Sequence, residues 1–158
     1  MVRYWLVKSE PGTFSFQDLL DAPKQRTRWE GIRNYTARNF MRDGMSVGDG
    51  VLFYHSSAEP TGVAGTARVC AAAVADPTQF DKRSDGYDPK SKREAPTWLA
   101  VELEAVRALK NFVPLERLKA EPALADMLVV QRGQRLSIQP VTEREWRTVL
   151  ALGGLPVR

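Results

Sequence analysis

The chain is predicted to fold as an α+β domain, a small mixed β barrel with short helices around it. Apolar and aromatic residues recur in strand-length runs, at residues 4–8, 51–55 and 99–105, rather than in long helical periods. Two helix-start signatures stand among them: Ser15 with Asp18 three residues on, and the capping box Thr142-x-x-Glu145. No repeat, low-complexity tract or linker-like stretch divides the 158 residues, a length that suits one core and is short for two. A single domain over residues 1–158 is therefore expected.

Each element has its own signal. Residues 4–8, Tyr-Trp-Leu-Val-Lys, make an aromatic and aliphatic run closed by Pro11-Gly12, which suits a strand. Ser15 as N-cap places one or two helical turns over residues 16–20. Residues 34–42 read as a short helix with Asn34 at its cap and Asp43-Gly44 at its stop. Gly48-Asp49-Gly50 then turns into a strand, Val-Leu-Phe-Tyr-His, at residues 51–55. The strand at residues 62–74 is rich in glycine and alanine, which predicts a bulge or a close backbone approach, as at a barrel corner. Residues 76–97 carry turn chemistry instead of a period (Asp76-Pro77, Asp85-Gly86, Asp88-Pro89, Ala95-Pro96), and so long a connection is expected to be disordered or functional. Leu99, Val101, Leu103 and Ala105 alternate with Ala100, Glu102 and Glu104 in a half-buried strand. Pro114 opens a short helix with Leu115 and Leu118 on one side, and residues 136–139 make a last short strand. After the Thr142 cap, Trp146, Val149 and Leu150 follow at helical spacing to a stop at Gly153.

Composition removes several classes of function. Hydrophobic residues make up 43% and charged residues 27%, a globular balance. The longest weakly polar run, residues 69–75, cannot span a bilayer, so no membrane partner is expected. No apolar segment of signal-peptide length precedes Lys8 and Glu10, and Cys70 has no second cysteine to pair with; together these predict a reducing, cytoplasmic address, with the nucleus or an organelle as the alternative, and a monomer is expected. One histidine and one cysteine cannot make a zinc site of the usual type, and no carboxylates have ligand spacing. Neither Gly-x-Gly-x-x-Gly nor a Walker loop occurs, so no metal and no cofactor is expected. A serine nucleophile would need His55 with Ser9, Ser56 or Ser57, and no Gly-x-Ser-x-Gly elbow presents it. Enzymatic activity is not expected. Cys70, in an alanine- and valine-rich strand, reads as a buried and inert thiol.

Binding chemistry remains. The net charge is +4, and residues 24–42 hold six basic side chains (Lys24, Arg26, Arg28, Arg33, Arg38, Arg42) against one acid, Glu30. Trp29 and Tyr35 lie among them. Cations that neutralise phosphate beside an aromatic that stacks a base suit a single strand or a flipped base, although the same residues also fit a solvated helix face over core aromatics. Lys8-Ser9-Glu10 leaves the first strand as a cation, a hydroxyl and a carboxylate together, a mix that a base edge can bond and that solvent can equally well surround. Trp29 reads either as a core residue or, in the company of Arg28, Glu30 and Arg33, as a partly exposed stacking face.

Taken in order, Tyr-Trp-Leu-Val-Lys-Ser-Glu-Pro (residues 4–11), Trp-Glu-Gly-Ile-Arg-Asn-Tyr-Thr-Ala-Arg-Asn (29–39) and Gly-Asp-Gly-Val-Leu-Phe-Tyr-His-Ser (48–56) resemble the EVE family. Asp-Pro-Thr-Gln-Phe-Asp (76–81), Tyr-Asp-Pro-Lys-Ser (87–91), Trp98 and Arg-Leu-Ser-Ile-Gln-Pro-Val-Thr (135–142) extend the resemblance over essentially the whole chain. Ile32, Thr36 and the alanines at 71–73 depart from it slightly. The resemblance implies a PUA-like fold, a mixed β pseudo-barrel with short surrounding helices. It also implies a non-catalytic module that recognises a modified base in DNA or RNA in an aromatic and polar pocket. By a looser similarity to the YTH readers of methylated adenosine, Lys8, Ser9 and Trp29 would hold one flipped base. Tyr54, Phe80 and Trp98 are then candidates for a second wall, and His55, Ser56 and Ser137 for reading the base edge. Tyr54 and His55 fall on opposite faces of a strand, so at most one of them can line the pocket. Arg28, Arg33, Asn34 and Arg38 are the candidate contacts to backbone phosphate or sugar. Two rival classes fit the same residues: an enzyme acting on a nucleotide or RNA through His55 or Lys8, and a protein-interaction adaptor whose basic, aromatic stretch meets an acidic partner.

Overall fold

The computed structural model describes residues 1–156. Along them run β1 (Tyr4–Ser9), α1 (Phe16–Asp21), β2 (Arg26–Trp29), α2 (Tyr35–Asp43), β3 (Gly50–His55), β4 (Gly62–Ala75), β5 (Leu99–Pro114), α3 (Leu115–Ala120), β6 (Ile138–Val141) and α4 (Glu143–Leu152). The strands make one sheet in the order β2-β5-β4-β3-β1-β6. Every neighbouring pair is antiparallel except β1 with β3, which the long crossover through α1, β2 and α2 makes parallel. No helix among the described residues is long and apolar enough to cross a membrane.

Local chemistry fixes the helix ends. Ser15 and Asp18 form a reciprocal capping box on α1, Thr142 and Glu145 do the same on α4, and the Asn34 side chain accepts the Ala37 N–H at the start of α2. At the entry to β3 the buried Asp49 carboxylate accepts the Arg3 and Ser46 backbone N–H groups and the Trp5 indole N–H. Two of these three bonds tie the N-terminal segment to the turn that precedes β3.

Alternation along the strands sorts the side chains into two cores. Trp5, Val7, Trp29, Val51, Phe53, Val69, Leu103 and Ile138 face one way, with Phe16 and Leu19 of α1 and Ala37 and Met41 of α2. Leu6, Leu52, Tyr54, Val63 and Leu109 face the other, beneath Leu118 of α3 and Val149 of α4. All six strands contribute to the first core, so the sheet curls around it. Its edges, β2 and β6, nevertheless do not pair. A curled sheet with one open seam is a pseudo-barrel, and the seam positions the site.

Bending is concentrated in β4 and β5, whose register shifts repeatedly along the pair. Gly65 sits at one such shift, where the Phe16 ring fills the space a Cβ would take. The glycine in this strand thus serves a close approach at a bulge, as its sequence predicted. Residues 76–97, expected to be disordered or functional, instead wrap around one buried side chain. The Gln79 amide donates to the Asp76 and Trp98 carbonyls and accepts the Trp98 N–H and the Ser91 hydroxyl. Fully bonded, that amide gives the segment a polar centre of its own.

Candidate functional site

The seam opens into a cavity of about 620 Å³. Lys8, Ser9 and Glu10 at the end of β1 form one wall, Thr13 and Phe14 the turn beside it, and residues 27–30 with Ile32 the wall opposite. β1 and β2 are fifth and first in the sheet order, so only the curl of the sheet brings them face to face. The β1–α1 turn is closed by the Thr13 and Phe14 N–H groups, which both donate to the Glu10 carbonyl.

Three expected residues meet here, each already engaged on one side. The Lys8 ammonium donates to the Gln134 carbonyl at 3.2 Å, and burial pushes its pKa below the ordinary lysine value. The Ser9 hydroxyl donates to the Phe14 carbonyl, which leaves its lone pairs free to accept. Trp29 is only 8% exposed and packs edge-on against Phe53, at 5.6 Å between ring centroids, and Phe14, at 6.4 Å. The open stacking face suggested by its charged neighbours is corrected: alternation along β2 sends Arg28 outward and Trp29 inward, so the indole is a core residue whose visible edge floors the cavity. Phe14 supplies an aromatic wall that the sequence reading omitted. Its signal was an aromatic residue two positions past the Pro11-Gly12 turn.

The structure sends the remaining pocket candidates elsewhere. Tyr54 is buried in the second core, on the face of the sheet away from the cavity. His55 turns towards α1, where its Nε2 accepts the Phe16 N–H at 3.0 Å between the Phe53 and Phe112 rings. Burial lowers its pKa, which favours the neutral ring that this bond requires. Neither Tyr54 nor His55 lines the cavity. Ser56 and Ser137 use their backbones near it: the Ser56 N–H donates to the Ser9 carbonyl, and the Ser137 carbonyl accepts the Lys8 N–H. Phe80 lies under the Arg93 guanidinium, 4.6 Å from its ring centroid. Trp98 is buried against Tyr35 with its indole N–H on the Asp88 carboxylate at 2.7 Å. Both aromatics hold the segment that surrounds Gln79.

The basic stretch is mostly spent inside the protein. Arg33 donates to the Asp76 carboxylate at 3.0 Å, to the Thr78 hydroxyl, and to the Ile32 and Gly86 carbonyls. Burial pushes the Asp76 carboxyl up, but bonds from Thr78, Gly31 and Arg33 outweigh it and hold the pKa below the usual range. Arg38 bonds Asn39 and the Thr97 carbonyl, Arg26 bonds Glu104, Arg42 bonds Asp43, and Asn34 is the α2 cap. The phosphate role read for Arg33 and Arg38 competes with the intramolecular partners that their guanidiniums already have, whereas Asn34 uses only its amide oxygen as the α2 cap. Arg28 differs: it stands at the rim of the cavity, about half exposed, with Glu30 no nearer than 4.0 Å. Cys70 is half-buried rather than buried, and burial and the nearby Glu102 keep its pKa raised.

The EVE domain family matches residues 3–152. The chain is 43% identical to thymocyte nuclear protein 1 of Homo sapiens over 94% of its own length and 73% of the human protein. The crystal structure of human THYN1 in complex with 5-methylcytosine-containing DNA aligns with a TM-score of 0.90 at 42% identity, over 98% of this chain and 99% of that one. A Pseudomonas putida protein of known crystal structure aligns with a TM-score of 0.90 at 43% identity, over 95% of this chain and 99% of that one. The cytoplasmic address predicted above is overturned by the animal relatives, whose name places them in the nucleus. The lone cysteine could not have separated the two compartments, since both are reducing.

Proposed function

The chain belongs to the EVE domain family, and on that footing we propose that it is a non-catalytic module that holds a modified base of DNA in the cavity at the barrel seam. One observation carries the reading: the cavity combines aromatic walls with unlike hydrogen-bonding groups, in a chain so similar to a structure determined in complex with 5-methylcytosine-containing DNA. A base must leave its stack before an altered edge can be inspected, at a cost of a few kcal/mol in a duplex. Phe14 and the edge of Trp29 offer apolar contact in return. Lys8 donates to a ring or carbonyl acceptor, the Ser9 lone pairs accept, and the Glu10 and Glu30 carboxylates can accept from an exocyclic amine such as cytosine N4. Arg28 meets the strand at the rim.

Binding without turnover is supported by the same side chains. The histidine is committed through Nε2 to the Phe16 N–H, and the Lys8 ammonium to a carbonyl. The Ser9 hydroxyl donates to the Phe14 carbonyl rather than to a general base. The test is a screen of matched oligonucleotides carrying 5-methylcytosine, other modified cytosines, modified adenine or no modification, at one fixed salt concentration. Tighter binding to at least one modified strand is expected, with the oligonucleotide recovered unchanged by mass spectrometry. Equal affinity for every strand overturns the reader, and a chemically altered base overturns its lack of catalysis.

A further inference from the structure

The intramolecular commitments of Arg33 and Arg38 leave the strand entering the seam short of phosphate contacts, while two uncommitted arginines stand in the segment bonded to Lys8. Residues 131–137, Gln-Arg-Gly-Gln-Arg-Leu-Ser, carry two arginines and no acid. The segment is tied to the cavity wall twice through Lys8, whose ammonium reaches the Gln134 carbonyl at 3.2 Å and whose N–H reaches the Ser137 carbonyl at 2.9 Å. Gly133, at φ +76°, makes the turn between the arginines, a conformation that favours glycine. Arg132 and Arg135 are both exposed, and among the described residues neither forms an ion pair.

We infer that the 131–137 loop is the phosphate-binding bank of the seam, and that Arg132 and Arg135 hold the nucleic-acid backbone on either side of the base inserted there. This rests on the base-binding reading above. The facing wall bears Arg28 and Glu30, whose charges offset one another, so it adds no net attraction for phosphate. The bank that the loop extends bears Lys8, Arg132 and Arg135 against Glu10 alone, a net positive charge. The backbone is thereby drawn to the loop side, and the base points across the mouth to Phe14, Trp29 and the carboxylates. Net positive charge on the loop bank, facing a wall of no net charge, fixes the direction from which the strand enters.

The experiment measures binding of wild type, Arg132→Gln/Arg135→Gln, Arg132→Lys/Arg135→Lys and Arg147→Gln to modified and plain oligonucleotides across a salt series. Arg147 lies on α4 and pairs there with Glu143, so it serves as the charge control. Each lost phosphate contact lowers the slope of log affinity against log salt by about 0.9 on duplex DNA, so the glutamine pair should flatten it by about 1.8. Binding should weaken by one factor on modified and plain strands alike, lysine should restore most of the slope, and Arg147→Gln should do neither beyond its share of net charge. If the wild type binds and prefers a modified strand while the glutamine pair keeps both slope and affinity, the loop assignment is wrong and the reader stands. A glutamine pair that loses the preference without a change in slope also refutes it, because the loop would then read the base. A wild type that binds no oligonucleotide overturns the reader and this inference together.

Discussion

Replacing Trp29 with alanine separates a core role from a recognition role, because the indole is placed to serve both. Only 8% exposed, it packs within the first core against Phe53 and Phe14. Truncating a buried tryptophan to alanine costs about 3–5 kcal/mol, the upper part of that range applying where edge-on aromatic pairs worth about 0.5–1.5 kcal/mol each are lost as well. For a domain of this size each kcal/mol is worth about 2–4 °C, so Trp29→Ala should lower the melting temperature by about 6–20 °C. At a temperature where the variant is still folded, its preference for a modified base should also shrink, since the floor of the cavity has gone. Trp29→Phe keeps a ring against Phe53 and should lose less of both. Thermal melting by circular dichroism, with anisotropy binding on paired oligonucleotides, reads the two effects on the same samples. A Trp29→Ala protein that melts within about 2 °C of wild type refutes the packing argument. One that melts low but still distinguishes the modified strand shows that the indole supports the barrel and nothing more.

The other substitutions test how the basic stretch and the histidine are used. Arg33→Ala strands the Asp76 carboxylate, whose side chain has no exposure, and should cost about 3–5 kcal/mol in urea denaturation while leaving the affinity of the folded protein unchanged; a loss below about 1 kcal/mol would show that the network is dispensable. Arg28→Gln should flatten the salt dependence of binding, whereas Arg38→Gln, whose guanidinium already bonds Asn39 and Thr97, should not; equal effects from the two would restore the whole stretch as the phosphate contact. His55 has its pKa lowered by burial, so the unfolded chain takes up a proton first, at about pH 6.5. The stability this ring contributes is full above that pH and is lost as pH falls from there through the folded value. His55→Gln cannot titrate and should give a flatter curve of melting temperature against pH between about 5 and 7, while parallel curves would mean the ring is not held neutral.

The sequence announced its strands and caps wherever local chemistry alone decided them. β1 and β3 show as apolar runs and the first half of β5 by its alternation, and Ser15, Asn34 and Thr142 cap the helices their spacing predicted. β2 gave no such signal. Arg26-Thr27-Arg28-Trp29 is mostly polar because an edge strand needs only one side of each residue pair to face the core, and Thr27 and Trp29 supply it opposite Leu103 and Val101. That silent strand is one wall of the cavity. The charges of the same stretch misled for a related reason: composition counts arginines but cannot see that Asp76, Glu104 and the Thr97 carbonyl, distant in sequence, come back to claim them. The 131–137 arginines attracted no notice because no aromatic accompanies them, and their nearness to Lys8 exists only once β6 lies beside β1. Closing the barrel would have paired β2 with β6 and filled the space between them. Leaving it open keeps a cavity, with polar groups from non-neighbouring strands around it, at the one place where the sheet leaves its edges unpaired.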